Sequence, residues 1–129
     1  SLGCTPAIAF SGTPSASAPA AFTISASQVL NNKNSLLFYG AASAAAPFQG
    51  GTLCVQAPLR RTPAQSSGGS GSGNDCSGAP SLDMNVRIQA GTDPILTVGA
   101  SIFAQFYYRD PSDPFTVGLS DAVGFQICP

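Results

Sequence analysis

The stretch ASIFAQFYYRD, residues 100–110, alternates between two sets of side chains along its length. The first set is apolar and consists of Ile102, Ala104, Phe106 and Tyr108. The second set mixes polar and aromatic residues and consists of Ser101, Phe103, Gln105 and Tyr107. Alternation with a period of two indicates a β-strand that turns one face to a core. We therefore predict a strand that runs into an Arg-Asp-Pro turn.

Six further short runs have strand-like patterns, at 5–10, 20–27, 35–40, 51–58, 81–91 and 122–129. Residues 81–91 alternate most clearly, and predict a strand with Leu82, Met84, Val86 and Ile88 turned inward. The run GAASAAAPF at 40–48 predicts at most a turn or two of helix, because Gly40 and Pro47 break it. Between the runs lie segments rich in the chain's 14 Gly and 11 Pro. We predict one domain over residues 1–129, an all-β antiparallel β-sandwich of about seven or eight short strands, stabilised by disulfides. An extended Ala/Ser/Pro-rich segment lies at 11–21 and a Gly/Ser loop at 66–75.

Composition excludes several classes of function. Only 9% of the 129 residues are charged, the net charge is −1, and His, Trp and Glu are missing. Without His there is no Ser-His-Asp triad and no His-ligated metal site. A general base near neutral pH would have to be a strongly perturbed Asp or Lys33. We expect no enzyme, no cofactor, no nucleic-acid partner and no membrane span.

The cysteines are Cys4, Cys54, Cys76 and Cys128. An even number with wide spacing favours disulfides and an oxidising compartment over free thiols or a zinc site. Four cysteines allow three pairings. We favour Cys4–Cys128, which would join the first strand to the last, together with Cys54–Cys76, which would close the Gly/Ser loop. The chain opens on SLGCTP without a start Met, as expected of a mature or trimmed product whose export signal is gone.

Two groups of residues are candidate sites. Asp110, Asp113 and Asp121 could form a weak calcium site, although Asp before Pro more often initiates a turn and the spacing matches no EF-hand. Phe103, Gln105 and Tyr107 share one strand face. They could form an interaction face for another subunit or a stacking platform for a glycan, or their rings could simply pack under a neighbouring loop.

Several motifs together resemble a known but uncharacterised module. They are NNKNSLLFYG at 31–40, PFQGGTLCVQAPLRR at 47–61, NDCSGAPSLDMN at 74–85, YYRDPSDPF at 107–115 and GLSDAVGFQICP at 118–129. They are similar to a β-module at the C-termini of secreted proteins of environmental bacteria, and the resemblance covers most of residues 3–129. It implies secretion and a β-domain but no reaction and no catalytic residue. The module often has Trp in the aromatic pair before Arg-Asp-Pro, where this chain has Tyr107 and Tyr108, and it usually follows a larger upstream region.

These observations lead to one functional hypothesis and two alternatives. We expect a secreted, non-catalytic structural module that binds copies of itself or another surface protein, for example in an extracellular filament or coat. Self-association is favoured because few surface charges oppose close packing of neighbouring copies. The first alternative is an extracellular carbohydrate-binding module. The second is a hydrolase that uses only carboxylates, which needs two Asp side chains roughly 5–10 Å apart in a cleft.

Overall fold

The computed structural model describes residues 3–48, 51–56, 58–111 and 116–129. The described residues form ten strands and one short helix. In chain order they are β1 (Ala7–Ser11), β2 (Thr23–Ser27), β3 (Asn34–Gly40), β4 (Ser43–Phe48), β5 (Gly51–Val55), β6 (Arg60–Arg61), β7 (Gln65–Ser66), β8 (Ser81–Asp83), α1 (Met84–Ala90), β9 (Ser101–Arg109) and β10 (Val117–Gln126). The prediction of an all-β, disulfide-bonded domain is confirmed. The strand count exceeds the expected seven or eight because several strands are only two or three residues long.

Two antiparallel sheets enclose the core. One has the order β1-β2-β8, and the other has the order β10-β9-β3, with β6 and β7 both pairing with the far edge of β3. The inward alternation predicted for β9 is confirmed, since Ile102, Ala104, Phe106 and Tyr108 are all buried. They pack with side chains from the side of the opposite sheet, including Ile24 of β2 and Phe22, which directly precedes β2. Burial of these apolar side chains is the main force that holds the two sheets together.

Residues 81–91 correct one prediction. They do not form one long strand, because β8 ends at Asp83 and α1 follows. Met84 and Ile88, one helical turn apart, are buried, whereas Val86 between them is 68% exposed. The Asp83 carboxylate caps α1 by accepting a hydrogen bond from Asn85 N, and Gly91 ends the helix with φ 69°. Both capping signals were in the sequence, but the alternation of apolar residues masked them.

The run at 40–48 also differs from its prediction. Instead of a helical turn it supplies β4, which forms a hairpin with β5. This hairpin lies outside the two core sheets and contacts β9 and β10.

The disulfide pairing was wrong. Cys4 is bonded to Cys76, with a sequence separation of 72, while Cys54 and Cys128 are free thiols. Cys128 is instead held through its backbone, where its carbonyl accepts from Ala16 N and its N–H donates to Pro14 O. The end of the chain is therefore fastened to the N-terminal region by hydrogen bonds rather than by a disulfide.

The Ala/Ser/Pro-rich segment at 11–21 and the Gly/Ser loop at 66–75 are both hydrogen-bonded to the rest of the chain. Within residues 11–21, the Asn85 amide of α1 accepts from Ser15 N and donates to the carbonyls of Thr13 and Ala20. In the 66–75 loop, the buried Asn31 side chain bonds three backbone groups, those of Ser70, Gly73 and Asp75. A buried amide that satisfies three backbone groups fixes a segment that has no regular hydrogen bonding of its own. Neither segment is an open linker.

Candidate interaction site

The predicted interaction face lies on the side of the β3–β9 sheet that is turned away from the core, called the outer face below. Cross-strand pairs on this face are Leu36 with Tyr107, Phe38 with Gln105, and Gly40 with Phe103. Directly opposed residues in an antiparallel pair project to the same side. The outer face thus carries both predicted rings together with Leu36 and Phe38 of β3.

Gln105 does not form part of an exposed row. Its side chain is fully buried beneath the β4–β5 hairpin. The amide accepts a hydrogen bond from Cys54 N at 3.0 Å and donates to Thr52 O at 3.0 Å and to Ser120 O at 2.5 Å. The Gln105 amide therefore pairs with the backbone of β5 as a neighbouring strand would, since it accepts one hydrogen bond from β5 and donates one to it. This side chain fixes the hairpin on the outer face.

The hairpin leaves a cavity of about 230 Å³ beside Gln105, called the Tyr107 cavity below. It is lined by Leu36, Phe38, Phe48, Leu53, Leu59, Arg61 and Tyr107. Three aromatic rings therefore surround one cavity, each from a different strand. Tyr107 is half-buried in this wall, so its ring is neither fully packed nor a flat exposed platform.

Phe103, the other ring of the predicted face, does not line the Tyr107 cavity. It packs over Gly124 of β10, where an added Cβ would lie 2.9 Å from the Phe103 ring. The structure therefore separates the predicted trio. Gln105 anchors the hairpin, Phe103 packs on β10, and Tyr107 is the one member of the three that lines the cavity.

The three candidate calcium ligands have different surroundings. Asp110 is buried at the end of β9, and its backbone N–H donates to Thr116 O. Asp121 is exposed in β10, near an irregularity in the β9–β10 pairing, and its carboxylate accepts from Ile8 N at 2.6 Å. Asp113 lies outside the described residues. No group of three metal-ligating side chains occurs within the parts of the chain that are described.

A polar cluster that the sequence did not reveal surrounds Tyr39. The Tyr39 hydroxyl donates to Asp93 Oδ2 at 2.5 Å and accepts from Arg87 Nε at 2.8 Å. Arg60 Nε lies 2.7 Å from Asp93 Oδ1, so Arg60 is part of an ion pair and not a fully solvated loop residue. The Arg87 guanidinium also lies 5.5 Å from the centre of the Tyr39 ring, within cation–π range.

The pKa values of this cluster follow from its contacts. Burial acts to raise the pKa of Asp93, but hydrogen bonds from Tyr39, from Ile95 N and from Arg60 together lower it below its usual 3.8. Burial raises the pKa of Tyr39 above 10.0, against the opposing hydrogen bond from Arg87. The cluster thus holds a charged Asp93 and a neutral tyrosine over a wide pH range. It fastens β3, β6, α1 and the 91–95 turn to one another.

The edge strand β1 exposes a second candidate surface. Ala7–Ser11 carry no charge, four of the five residues are exposed, and Phe10 is 59% exposed. Ala26 N, opposite Ile8 on β2, donates away from β1 to Pro80 O. The backbone groups of Ile8, and by the same alternation those of Phe10, therefore point to the outer edge of β1. The Asp121 carboxylate accepts a hydrogen bond from the Ile8 N–H. The Phe10 N–H has no hydrogen-bond acceptor within the described part of the chain.

Comparison of the chain with models of protein families, with curated proteins and with solved structures finds no match. Within the described residues, no helix is long and apolar enough to cross a membrane.

Proposed function

We propose that this protein is a secreted, non-catalytic interaction module that binds copies of itself at the cell surface or in an extracellular filament or coat. One observation carries the proposal: the outer edge of β1, whose own residues carry no charge and where Phe10 is 59% exposed beside outward-facing backbone groups. An edge strand with unpaired N–H and C=O groups is a template for another strand. An exposed ring at its end adds an apolar anchor of the kind found at the centre of interfaces.

Two further features support the proposal. Charged residues make up only 9% of the chain, so little repulsion opposes the approach of a second copy. The Cys4–Cys76 disulfide supports secretion, because such bonds persist in oxidising compartments.

The proposed edge is short, and this limits the geometry of assembly. The Asp121 carboxylate occupies the Ile8 N–H, so a partner strand can pair only at the Phe10 end. Carboxylates that block part of a sheet edge are a recognised way of limiting uncontrolled pairing. We therefore propose a defined contact between copies, and not open-ended stacking along the whole of β1.

Light scattering over a concentration series tests self-association. Phe10→Lys places a charge on the proposed contact, and Val98→Lys is the matched control, because Val98 is 54% exposed and lies outside β1. We expect the wild type and Val98→Lys to associate with rising concentration and Phe10→Lys to remain monomeric. A monomeric wild type at high concentration would contradict the proposal, as would equal association of the two variants.

Glycan binding is the second proposal, and the three rings of the Tyr107 cavity favour stacking of one sugar face, with the sugar hydroxyl groups left in solvent. Aromatic faces stack on sugar rings, and Phe38, Phe48 and Tyr107 are close enough to share one ligand. A glycan array tests it, with loss of binding expected in Tyr107→Ala. Retention of binding in that variant, or no binding by the wild type, would end the proposal.

A further inference from the structure

The Tyr107 cavity has an unusual distribution of charge. Among the described residues that line it, Arg61 is the one with a charged side chain, and none of them is acidic. The Arg61 backbone pairs with Phe38, and its carbonyl accepts from the Arg87 guanidinium, but its own guanidinium makes no hydrogen bond or ion pair with the described residues. By contrast, Arg60 next to it pairs with Asp93. Within the described part of the chain, the cavity therefore has one positive charge, without an acidic partner, on a largely apolar wall.

The polar groups of the lining are few. Apart from the Arg61 guanidinium, the described lining side chains supply only the Tyr107 hydroxyl, because the other five are leucine and phenylalanine. A ligand with many hydroxyl groups would leave most of them without partners here, which is costly when they are desolvated. The lining fits a ligand with an apolar body and one anionic end.

The volume limits the size of that body. At about 230 Å³ the cavity is larger than the roughly 150 Å³ apolar cavity that holds a benzene molecule. It is smaller than the pockets of roughly 300–1,000 Å³ that hold drug-sized ligands. One aromatic ring or a short alkyl chain, extended by a few atoms, matches this space.

We propose that the Tyr107 cavity binds small carboxylates that carry a single ring or a short alkyl chain. The apolar body packs among Phe38, Phe48 and Leu53, and the carboxylate meets the Arg61 guanidinium at the edge of the cavity. Arg fits this role because its planar fork bonds both oxygens of a carboxylate. This site is independent of the self-association proposed for β1, since it is built from β3 to β6 and β9.

Titration of the isotopically labelled protein with 3-phenylpropanoate, followed by NMR shifts of residues in the cavity, tests the proposal. The neutral analogue 3-phenylpropanamide has the same ring and chain without the charge. We expect the amide to bind about tenfold more weakly, because it lacks the charge-assisted hydrogen bonds to Arg61. Binding of the acid should also weaken at high salt, since the guanidinium is exposed.

Three variants locate the contacts. Arg61→Leu should weaken binding of the acid about tenfold and leave binding of the amide unchanged. The fold should be preserved, because the contacts of Arg61 with the described residues are made by its main chain. Arg109→Leu removes an equal charge from an exposed position on β9 that is not among the described lining residues, and it should weaken binding of the acid much less than Arg61→Leu does. Leu53→Trp should fill the cavity and abolish binding of both compounds.

Several results would overturn the proposal. The first is equal affinity for the acid and the amide, and the second is equal effects of the two arginine variants. The third is no NMR shift at cavity residues with up to about 20 mM of the acid, a concentration that would half-saturate a site with a binding free energy of only about −2.3 kcal/mol. Binding of a neutral oligosaccharide in the cavity with no binding of the acid would also overturn it, and would support the glycan proposal instead. The labelled spectrum shows whether each variant is folded, so a loss of binding is scored only on folded protein.

Discussion

Removal of the Cys4–Cys76 disulfide gives the sharpest prediction for stability. The bond closes a loop with a sequence separation of 72. The chain-entropy relation for a loop of that length gives about 4.4 kcal/mol of stabilisation at 25 °C. The double substitution Cys4→Ala and Cys76→Ala should therefore lower the free energy of unfolding by about 4 kcal/mol. For a chain of 129 residues the typical unfolding entropy converts this into a fall in Tm of about 15 °C.

The assay is urea and thermal unfolding of the wild type and of two double variants under non-reducing conditions. The control is Cys54→Ala with Cys128→Ala, because both residues are free thiols and Cys128 is exposed. We expect the control to lose about 1 kcal/mol or less. A thiol titration of the unfolded, unreduced wild type should count two thiols per chain.

Two outcomes would refute this reasoning. The first is a control variant that loses as much stability as the Cys4→Ala and Cys76→Ala protein. The second is a peptide map of unreduced protein that links Cys4 to Cys128, since this would restore the pairing favoured from the sequence.

Three further predictions concern single side chains. Gln105→Ala should lower the free energy of unfolding by about 2–4 kcal/mol, because it leaves partly buried backbone groups of the β4–β5 hairpin without hydrogen-bond partners. Amide hydrogen exchange in this variant should become faster first at Cys54. Asp121→Ala should increase self-association of the protein, measured by sedimentation, because it frees the Ile8 N–H for a partner strand. Unchanged or weaker self-association would argue against pairing at β1. The pKa of Asp93 is lowered in the folded state, so its stabilising contribution should be present above the usual pKa of 3.8 and disappear as the pH falls through the folded pKa. Asp93→Asn should remove this part of the pH dependence of the free energy of unfolding in urea. An unchanged pH profile in the variant would contradict this prediction.

The strands and their buried faces could be predicted where a local pattern decided them. In β9 the apolar side chains alternate with a period of two, and this local pattern alone predicted which face of the strand is buried. The same is true of β3, whose short apolar run predicted burial on both faces, and both Leu37 and Phe38 are buried. Local patterns determine such features because hydrophobic burial acts on each strand in the same way.

The error at 81–91 shows where the period alone is ambiguous. Apolar residues at 82, 84, 86 and 88 satisfy a strand, but 84 and 88 also lie one turn apart on a helix. The helix forms because Asp83 caps its start and Gly91 ends it in a left-handed conformation. A reading that weighed the caps against the alternation could have found α1.

The sites could not be predicted because they join distant segments. The Tyr107 cavity combines residues from β3, β4, β5, β6 and β9 with Leu59, and it exists because Gln105 holds the hairpin on the outer face. Sequence alternation placed Tyr107 and Gln105 on one face and left open that a neighbouring loop covers it, but it did not identify residues 43–55 as the cover. Cysteine spacing likewise does not specify which pairs meet in space.

Amide hydrogen exchange at Phe10 tests the central proposal, self-association at β1, most directly. The Phe10 N–H points to the outer edge without a hydrogen bond from the described chain, while the N–H of Ile8 is bonded to Asp121. In dilute solution we predict fast exchange at Phe10. At concentrations where light scattering shows association, the Phe10 amide should become protected, with little change in residues of the buried β3. Fast exchange at Phe10 in the associated protein would show that the contact lies elsewhere and would contradict the account.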